Sequence, residues 1–303
     1  MKVFLAGATG AIGVPLIRAL VAAGHEVTAL TRFEANAPAL RALGAAPAIA
    51  DALEADVLRR VVAAARPTHV IHQLTALPKG GPRTAREMEP TNRLRIDGTR
   101  NLIDAAVAAG AKRIVVGSFA LFRGEDGPAP PPAMRAAADA VRSMEAQTLE
   151  ASRRGAIEGV VLRYGLFYGP ETGSTRQMTA MAKRRMLPAI RGDRSLLPCI
   201  HVDDAARATV LALDGAPAGA VYDIVDDHAL SLSEINEAVA AAAGAPRPLA
   251  IPSWLPRLVA PYLATVLSVR MPLSNRQARA DFGWRPAYPT IAEGLAKTFG
   301  RAA

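Results

Sequence analysis

Three glycines spaced by three, Gly7, Gly10 and Gly13, fall between an apolar run at 3–6 and a helical pattern of Leu16, Ile17, Leu20 and Val21. A strand that turns at once into a helix needs glycine where φ is positive or where a phosphate must approach the backbone. The helix N-terminus then offers N–H groups and the positive end of its dipole to a pyrophosphate. The spacing is G-x-x-G-x-x-G, with Thr9 where the dinucleotide fingerprint G-x-G-x-x-G has its middle glycine. A tight turn with no ligand is the alternative. The position favours a cradle, because the strand is the first in the chain and a second follows at 26–30. Gly7, Thr9, Gly10, Ala11, Ile12 and Gly13 are thus candidate phosphate contacts.

The second strand ends at Thr31-Arg32, where an adenine ribose would lie. An acidic residue there would bind both ribose hydroxyls, whereas an arginine accommodates a 2′-phosphate through its planar fork. NADP(H) is therefore expected over NAD(H), against the plainer reading of a surface arginine. Asp51 and Ala52 form a turn that reaches the adenine ring or caps the helix over 54–65. The strand over 69–74 ends at Leu74 and Thr75 and runs into a Gly/Pro-rich loop carrying Lys79. Ser118 follows the strand over 113–117, and Tyr164 and Phe167 follow the strand over 159–163. All of these are expected at the carboxyl edge of the sheet, where ligands bind in open α/β folds. His72, inside an apolar strand, reads as a core histidine.

These positions need a scaffold. Strands alternate with helices at 14–23, 38–43, 54–65, 94–109 and 133–154, which predicts a doubly wound, parallel, right-handed α/β sheet. From 171 the rhythm stops. A helix over 178–185, a strand over 197–200, a helix opening at His201 and capped by aspartate, and a seventh strand over 222–225 are expected. A helix over 232–243, a Pro-interrupted apolar region at 246–275 and a last helix over 291–299 complete the chain. The dinucleotide domain is expected to comprise 1–170 and 198–228, and a smaller substrate lobe 171–197 and 229–303.

The chain has 303 residues and a formal net charge of +9, but its 36 Lys and Arg are scattered and 5% of residues are aromatic. That argues against a nucleic-acid partner. The single Cys199 excludes an intrachain disulfide and fits a reducing compartment. The apolar stretch 254–271 is broken by Pro256, Arg257, Pro261 and Arg270, so no membrane span is expected. The first strand begins at once, so no signal peptide is expected either. A soluble, cytoplasmic protein that binds no metal is therefore expected.

Taken together, the glycine turn, the Gly98-Thr99 helix, the Ser118 strand end, Tyr168-Gly169-Pro170, His201-Val202-Asp203-Asp204 and Trp284-x-Pro286 with Glu293-Gly294-Leu295 resemble the extended short-chain dehydrogenase/reductase family, in its NAD-dependent epimerase/dehydratase group. The resemblance implies a Rossmann domain with a C-terminal substrate lobe, a nicotinamide cofactor, and often a homodimer packed through two long helices. It also implies a Tyr-x-x-x-Lys pair on the helix after the fifth strand, with the Tyr as acid/base. The matching positions hold Ala140 and Met144. Ser118 matches the serine that polarises a substrate oxygen, and Arg95 stands where an Asn is usual. Arg95 and Phe167 join the candidate cofactor contacts. Proton transfer would then run through Ser118, Lys79 or Tyr164, with Asp139 and Glu145 as further candidates. The implied function is an NADP(H)-dependent oxidoreductase or epimerase-like enzyme on a small organic substrate. A cofactor sensor or scaffold without turnover, and a non-redox isomerase or lyase, are the alternatives.

Overall fold

The computed structural model describes residues 1–78, 81–82, 84–120, 130, 132–170, 172–259 and 273–300. Seven strands form one parallel sheet: β1 Lys2–Ala6, β2 Glu26–Thr31, β3 Ala46–Ile49, β4 His69–His72, β5 Arg113–Phe119, β6 Glu158–Tyr164 and a strand at Val221–Ile224. The order from one edge is Val221–Ile224, β6, β5, β4, β1, β2, β3. The order reverses between β1 and β4, the crevice where a doubly wound sheet binds its ligand.

Side-chain alternation divides the core in two. Val3 and Leu5 of β1, Val115 of β5 and Val160, Leu162 and Tyr164 of β6 pack with helices α1 Gly13–Ala22 and Val202–Gly215. Phe4 and Ala6 of β1 and Ile114 and Val116 of β5 pack with α3 Ala55–Ala65, α5 Thr99–Ala108 and α6 Arg135–Arg153, α2 being Ala37–Ala42 and α4 Glu89–Arg93. Strands covered on both faces read as continuous apolar runs, which is why these lack a polar side. Each internal residue of β1 is 0–1% exposed. At roughly 1.5–3 kcal/mol per fully buried large aliphatic side chain, the sheet centre is the main stabilising block.

The helix expected over 94–109 begins earlier, at α4, and reaches α5 through one π-helical turn, Leu94–Gly98. Such turns are often found at functional sites. β5 and β6 run to Phe119 and Tyr164, so Ser118 and Tyr164 lie inside strands and not on loops.

A third core joins Tyr168, Leu187, Leu197, Cys199, Ile235, Val239, Ile291 and Leu295. Around it two short parallel pairs form: β7 Leu166–Tyr168 with β9 Cys199–His201, and β8 Pro188–Ile190 with a strand at Leu249–Ile251. The short strand expected over 197–200 forms at Cys199–His201 and pairs with β7, outside the main sheet. A strand within 246–275 was not expected either, because three residues are too few to show alternation.

The helix Val202–Gly215 is capped by His201, whose Nδ1 accepts from the Asp203 N–H at 3.2 Å, and not by aspartate. Asp204 is fully buried and accepts from the N–H groups of Ala287 and Tyr288 and from Arg207. It thereby anchors the C-terminal turn. Buried Cys199 has its thiol pKa pushed up by desolvation and by Asp226, consistent with a small apolar packing residue.

Candidate functional site

The glycine turn has three separate requirements. Gly7 adopts φ +101°, and a Cβ there would run into the Gln73 carbonyl. A Cβ at Gly13 would overlap the carbonyl oxygen of Ala8, because α1 enters tightly against the turn. At Gly10 the φ is ordinary and the nearest atom to a Cβ is the Gly7 carbonyl oxygen at 3.2 Å. Thr9, Gly10 and Ala11 are exposed, whereas Ile12 is 3% exposed and belongs to the core. Ile12 can therefore offer only backbone. Gly10 is the position with space outside it, and a dinucleotide pyrophosphate fits there, over the α1 N-terminus.

At the adenosine end Arg32 is half-exposed, with Nη1 4.0 Å from Asp51 Oδ2 and its guanidinium 5.4 Å from the Phe33 ring centre. Thr31 was expected beside Arg32 as a ligand contact. Its side chain is instead buried, accepting from Asn36 Nδ2 at 2.8 Å and from the Phe33 N–H at 3.3 Å. Thr31 holds the turn that presents Arg32. Asp51 Oδ1 accepts from the Leu53 N–H at 2.9 Å, closing its own turn, while α3 starts at Ala55 without a side-chain cap. Ala52 is buried, and its carbonyl accepts from Asn101 Nδ2.

Gln73 joins the middle of the edge and had no signal in the sequence. Its backbone packs against Gly7, its side-chain amide occupies the space a Cβ on Gly117 would need, and its Nε2 donates to Tyr164 Oη at 3.0 Å. Beyond it Leu74 is half-buried and Thr75 is exposed. His72 is a satisfied core residue: Nε2 lies 2.9 Å from Thr99 Oγ1 and Nδ1 accepts from the Leu74 N–H. Desolvation, with the Arg95 charge second, lowers its pKa to about 4, so it is neutral at pH 7. Arg95 itself is buried in the π-helical turn. Phe167 is half-buried, its ring 5.3 Å from that of Tyr164.

Ser118 and Tyr164, grouped in the sequence as one proton-transfer set, point to opposite faces of the sheet. Ser118 shares the parity of Ile114 and Val116 and meets α6, where its Oγ donates to Glu145 Oε1 at 2.5 Å. Glu145 also accepts from Arg163 Nε at 2.9 Å and Nη2 at 2.6 Å. Arg163 is the residue opposite Ser118 across β5 and β6. The donation expected from Ser118 to a substrate oxygen is thus spent on Glu145.

Tyr164 shares the parity of Val160 and Leu162 and faces the helix Val202–Gly215. Thr209 donates to the Ala205 carbonyl, so Tyr164 donates to Thr209 at 2.7 Å while accepting from Gln73. Desolvation pushes the phenol up to about 12, against the hydrogen bonds from both partners. Tyr164 is a structural residue: its phenol is buried and engaged by Gln73 and Thr209, which corrects the expectation that it donates a proton from a loop.

Ala140 and Met144 are 0% and 1% exposed on the buried face of α6. Tyr168 donates to Asp226, Tyr222 to Asp281, and the Tyr288 ring packs on His201, so none of these phenols stands beside Ser118. Asp139 is an exposed partner of Arg142, whereas Glu145 is buried. Lys79 lies outside the described residues. Among the described residues no cluster of metal-ligating side chains occurs, and no helix is long and apolar enough to cross a membrane.

A doubly wound parallel sheet with a glycine turn at its switch point defines a dinucleotide-binding α/β protein of the Rossmann type. The family model for the NAD-dependent epimerase/dehydratase family matches residues 3–225, and the chain belongs to that family. It is similar to a 3-diazoavenalumate denitrifying reductase from a Streptomyces species, 36% identical over 98% of this chain and 100% of the relative. A ceramide reductase from Caulobacter vibrioides is 28% identical over 98% of this chain and 90% of that one. Among solved structures, UDP-glucose 4-epimerase from Thermus thermophilus in complex with NAD superposes with TM-score 0.78 at 24% identity, covering 99% of this chain and 98% of the other. An oxidoreductase or epimerase-like enzyme using a nicotinamide nucleotide follows.

Proposed function

We propose that this protein is an NADP(H)-dependent reductase of a small organic acceptor that needs no proton from α6. The observation carrying this reading is the pair Ala140 and Met144, buried on the helix that packs against Ser118. Neither side chain holds a transferable proton, and Tyr164, with its phenol raised to about 12 and turned to the other face, cannot replace one. Lys79 stays a candidate for charge stabilisation from its loop.

The cofactor, when bound, supplies a hydride. Gly10 and its neighbours would hold the pyrophosphate, and Arg32 the 2′-phosphate that separates NADP from NAD. A ketone that accepts a hydride becomes an alkoxide and must then be protonated. An arenediazonium is already cationic: hydride addition at its terminal nitrogen gives a neutral aryl diazene, whose C–N and N–H bonds then break, releasing dinitrogen and passing that same hydrogen to the ring carbon as a C–H bond. That sequence draws no proton from the protein. The 36% identical denitrifying reductase supports a diazo acceptor, and the family resemblance supports a homodimer through α5 and α6, readable by sedimentation.

The test is consumption of NADPH at 340 nm with an arenediazonium, an aryl ketone and an aldehyde in parallel, gas release being measured for the first. Turnover of the diazonium alone, with nitrogen evolved, is the expected result. Binding of NADPH with no turnover of any acceptor would favour the cofactor sensor, and preferred ketone turnover would require a proton donor on a loop.

A further inference from the structure

We infer that Glu145 is a positioning residue that fixes the polarity of Ser118, so that the substrate site recognises a hydrogen-bond donor or a cationic nitrogen rather than a carbonyl oxygen; this rests on the reading of the β5 end as the substrate site. A serine hydroxyl has one proton and two lone pairs, and an ionised carboxylate only accepts. Glu145 is 4% exposed, and Arg163 donates to both of its oxygens, so the carboxyl group is fixed with each oxygen acting as an acceptor. The 2.5 Å contact from Ser118 Oγ to Oε1 uses the hydroxyl proton. What Ser118 keeps for any other group is lone pairs.

The arrangement is set by strand and helix register. Ser118 and Arg163 are paired residues of β5 and β6 and lie on one face of the sheet. α6 crosses that face and places Glu145 between them, one residue after Met144. Arg163 offsets the charge of Glu145, so the cluster does not repel a neutral substrate; it is the Ser118 hydroxyl that has no proton left to offer one. A carbonyl placed against Ser118 would meet lone pairs with lone pairs, whereas an N–H or a positive nitrogen would be stabilised.

The test uses two nearly isosteric probes, benzamidinium, which only donates, and acetophenone, which only accepts. Affinities are measured by calorimetry with and without NADP⁺, on wild type, Glu145→Gln and Ser118→Ala. Wild type is expected to favour benzamidinium by roughly tenfold, the scale of one hydrogen bond involving a charged group. In Glu145→Gln the amide carbonyl faces Arg163 and its NH₂ donates to Ser118, releasing the hydroxyl proton, so the preference should fall or reverse. Ser118→Ala removes only a small hydroxyl. It should lose benzamidinium selectively and leave acetophenone within a factor of about two, well below one hydrogen bond, which decides the matter even where Glu145→Gln does not fold. A wild-type preference for acetophenone, or a ratio that neither substitution moves, overturns the inference. Cofactor affinity is read in the same experiments, so failure of NADP⁺ to bind would count against the reductase reading and leave the polarity of Ser118 to the probe ratio.

Discussion

Arg32 and Asp51, at the ends of neighbouring strands β2 and β3, bring opposite charges to within 4.0 Å at the edge where an adenosine ribose would lie. The pair is half-open to solvent, so its own contribution to stability is small. Its consequence is for binding: the arginine is oriented and its fork is free to accept a phosphate from the solvent side. Arg32→Ala should weaken NADP(H) by roughly ten- to a hundredfold, since a hydrogen bond to a charged group contributes about 1.5–3 kcal/mol. Calorimetric titration with NADPH and NADH checks this, NADH being expected to change little. A wild type that prefers NADH would remove the assignment.

Gly10 and Gly13 should fail in different ways. Gly10→Val brings its Cβ to 3.2 Å from the Gly7 carbonyl oxygen, a tight contact that a small shift of the turn relieves, so the protein should still fold. Cofactor affinity should fall by roughly a hundredfold or more, about 2.7 kcal/mol, because the added methyls fill the pyrophosphate space. Gly13→Ala drives a methyl into the Ala8 carbonyl and should lower stability by about 1–3 kcal/mol, the range for overpacking. Circular dichroism melts and calorimetry separate the two.

Removing the Ser118 hydroxyl should be a kinetic lesion, and removing that of Tyr164 a structural one. Ser118→Ala is expected to cut kcat by roughly ten- to a hundredfold, the range for a lost hydrogen bond to a charged group, with cofactor affinity within a few-fold. Tyr164→Phe leaves Gln73 and Thr209 without their partner in a buried site, at a cost of about 1–3 kcal/mol in stability, while kcat stays near wild type. Steady-state kinetics beside urea unfolding test both. A Tyr164→Phe protein with normal stability and no turnover would return the phenol to the chemistry.

Stability should drop on mild acidification through His72. Its folded pKa, about 4, lies below the unfolded value of 6.5. Between these values the unfolded chain binds a proton that the folded one refuses, so stability falls as pH drops from 6.5 to 4. The difference amounts to about 3 kcal/mol at 1.36 kcal/mol per pKa unit. Unfolding measured from pH 7 to pH 4.5 should show this slope, and His72→Gln should flatten it.

The sequence by itself determined the alternation of strands and helices, hence the parallel doubly wound sheet, and the glycine turn that opens it. These are local matters: a two-residue period, a 3.6-residue period and a positive φ at Gly7 leave their mark within a few residues. It also placed Arg32 at the end of β2 and read His72 as a core histidine. Only the tertiary structure decided which face of the sheet each edge residue serves. Because β5 and β6 are covered on both sides, their apolar runs carry no polar alternation, and the opposite orientation of Ser118 and Tyr164 stayed hidden. The grip of Arg163 and Ser118 on Glu145, across separations of 18 and 27 residues, depends on the crossing of α6 over that face. The place of Gln73 is hidden in the sequence for the same reason: a single amide at the end of an apolar run comes to lie between Gly7, Gly117 and Tyr164 only when four strand ends are brought side by side.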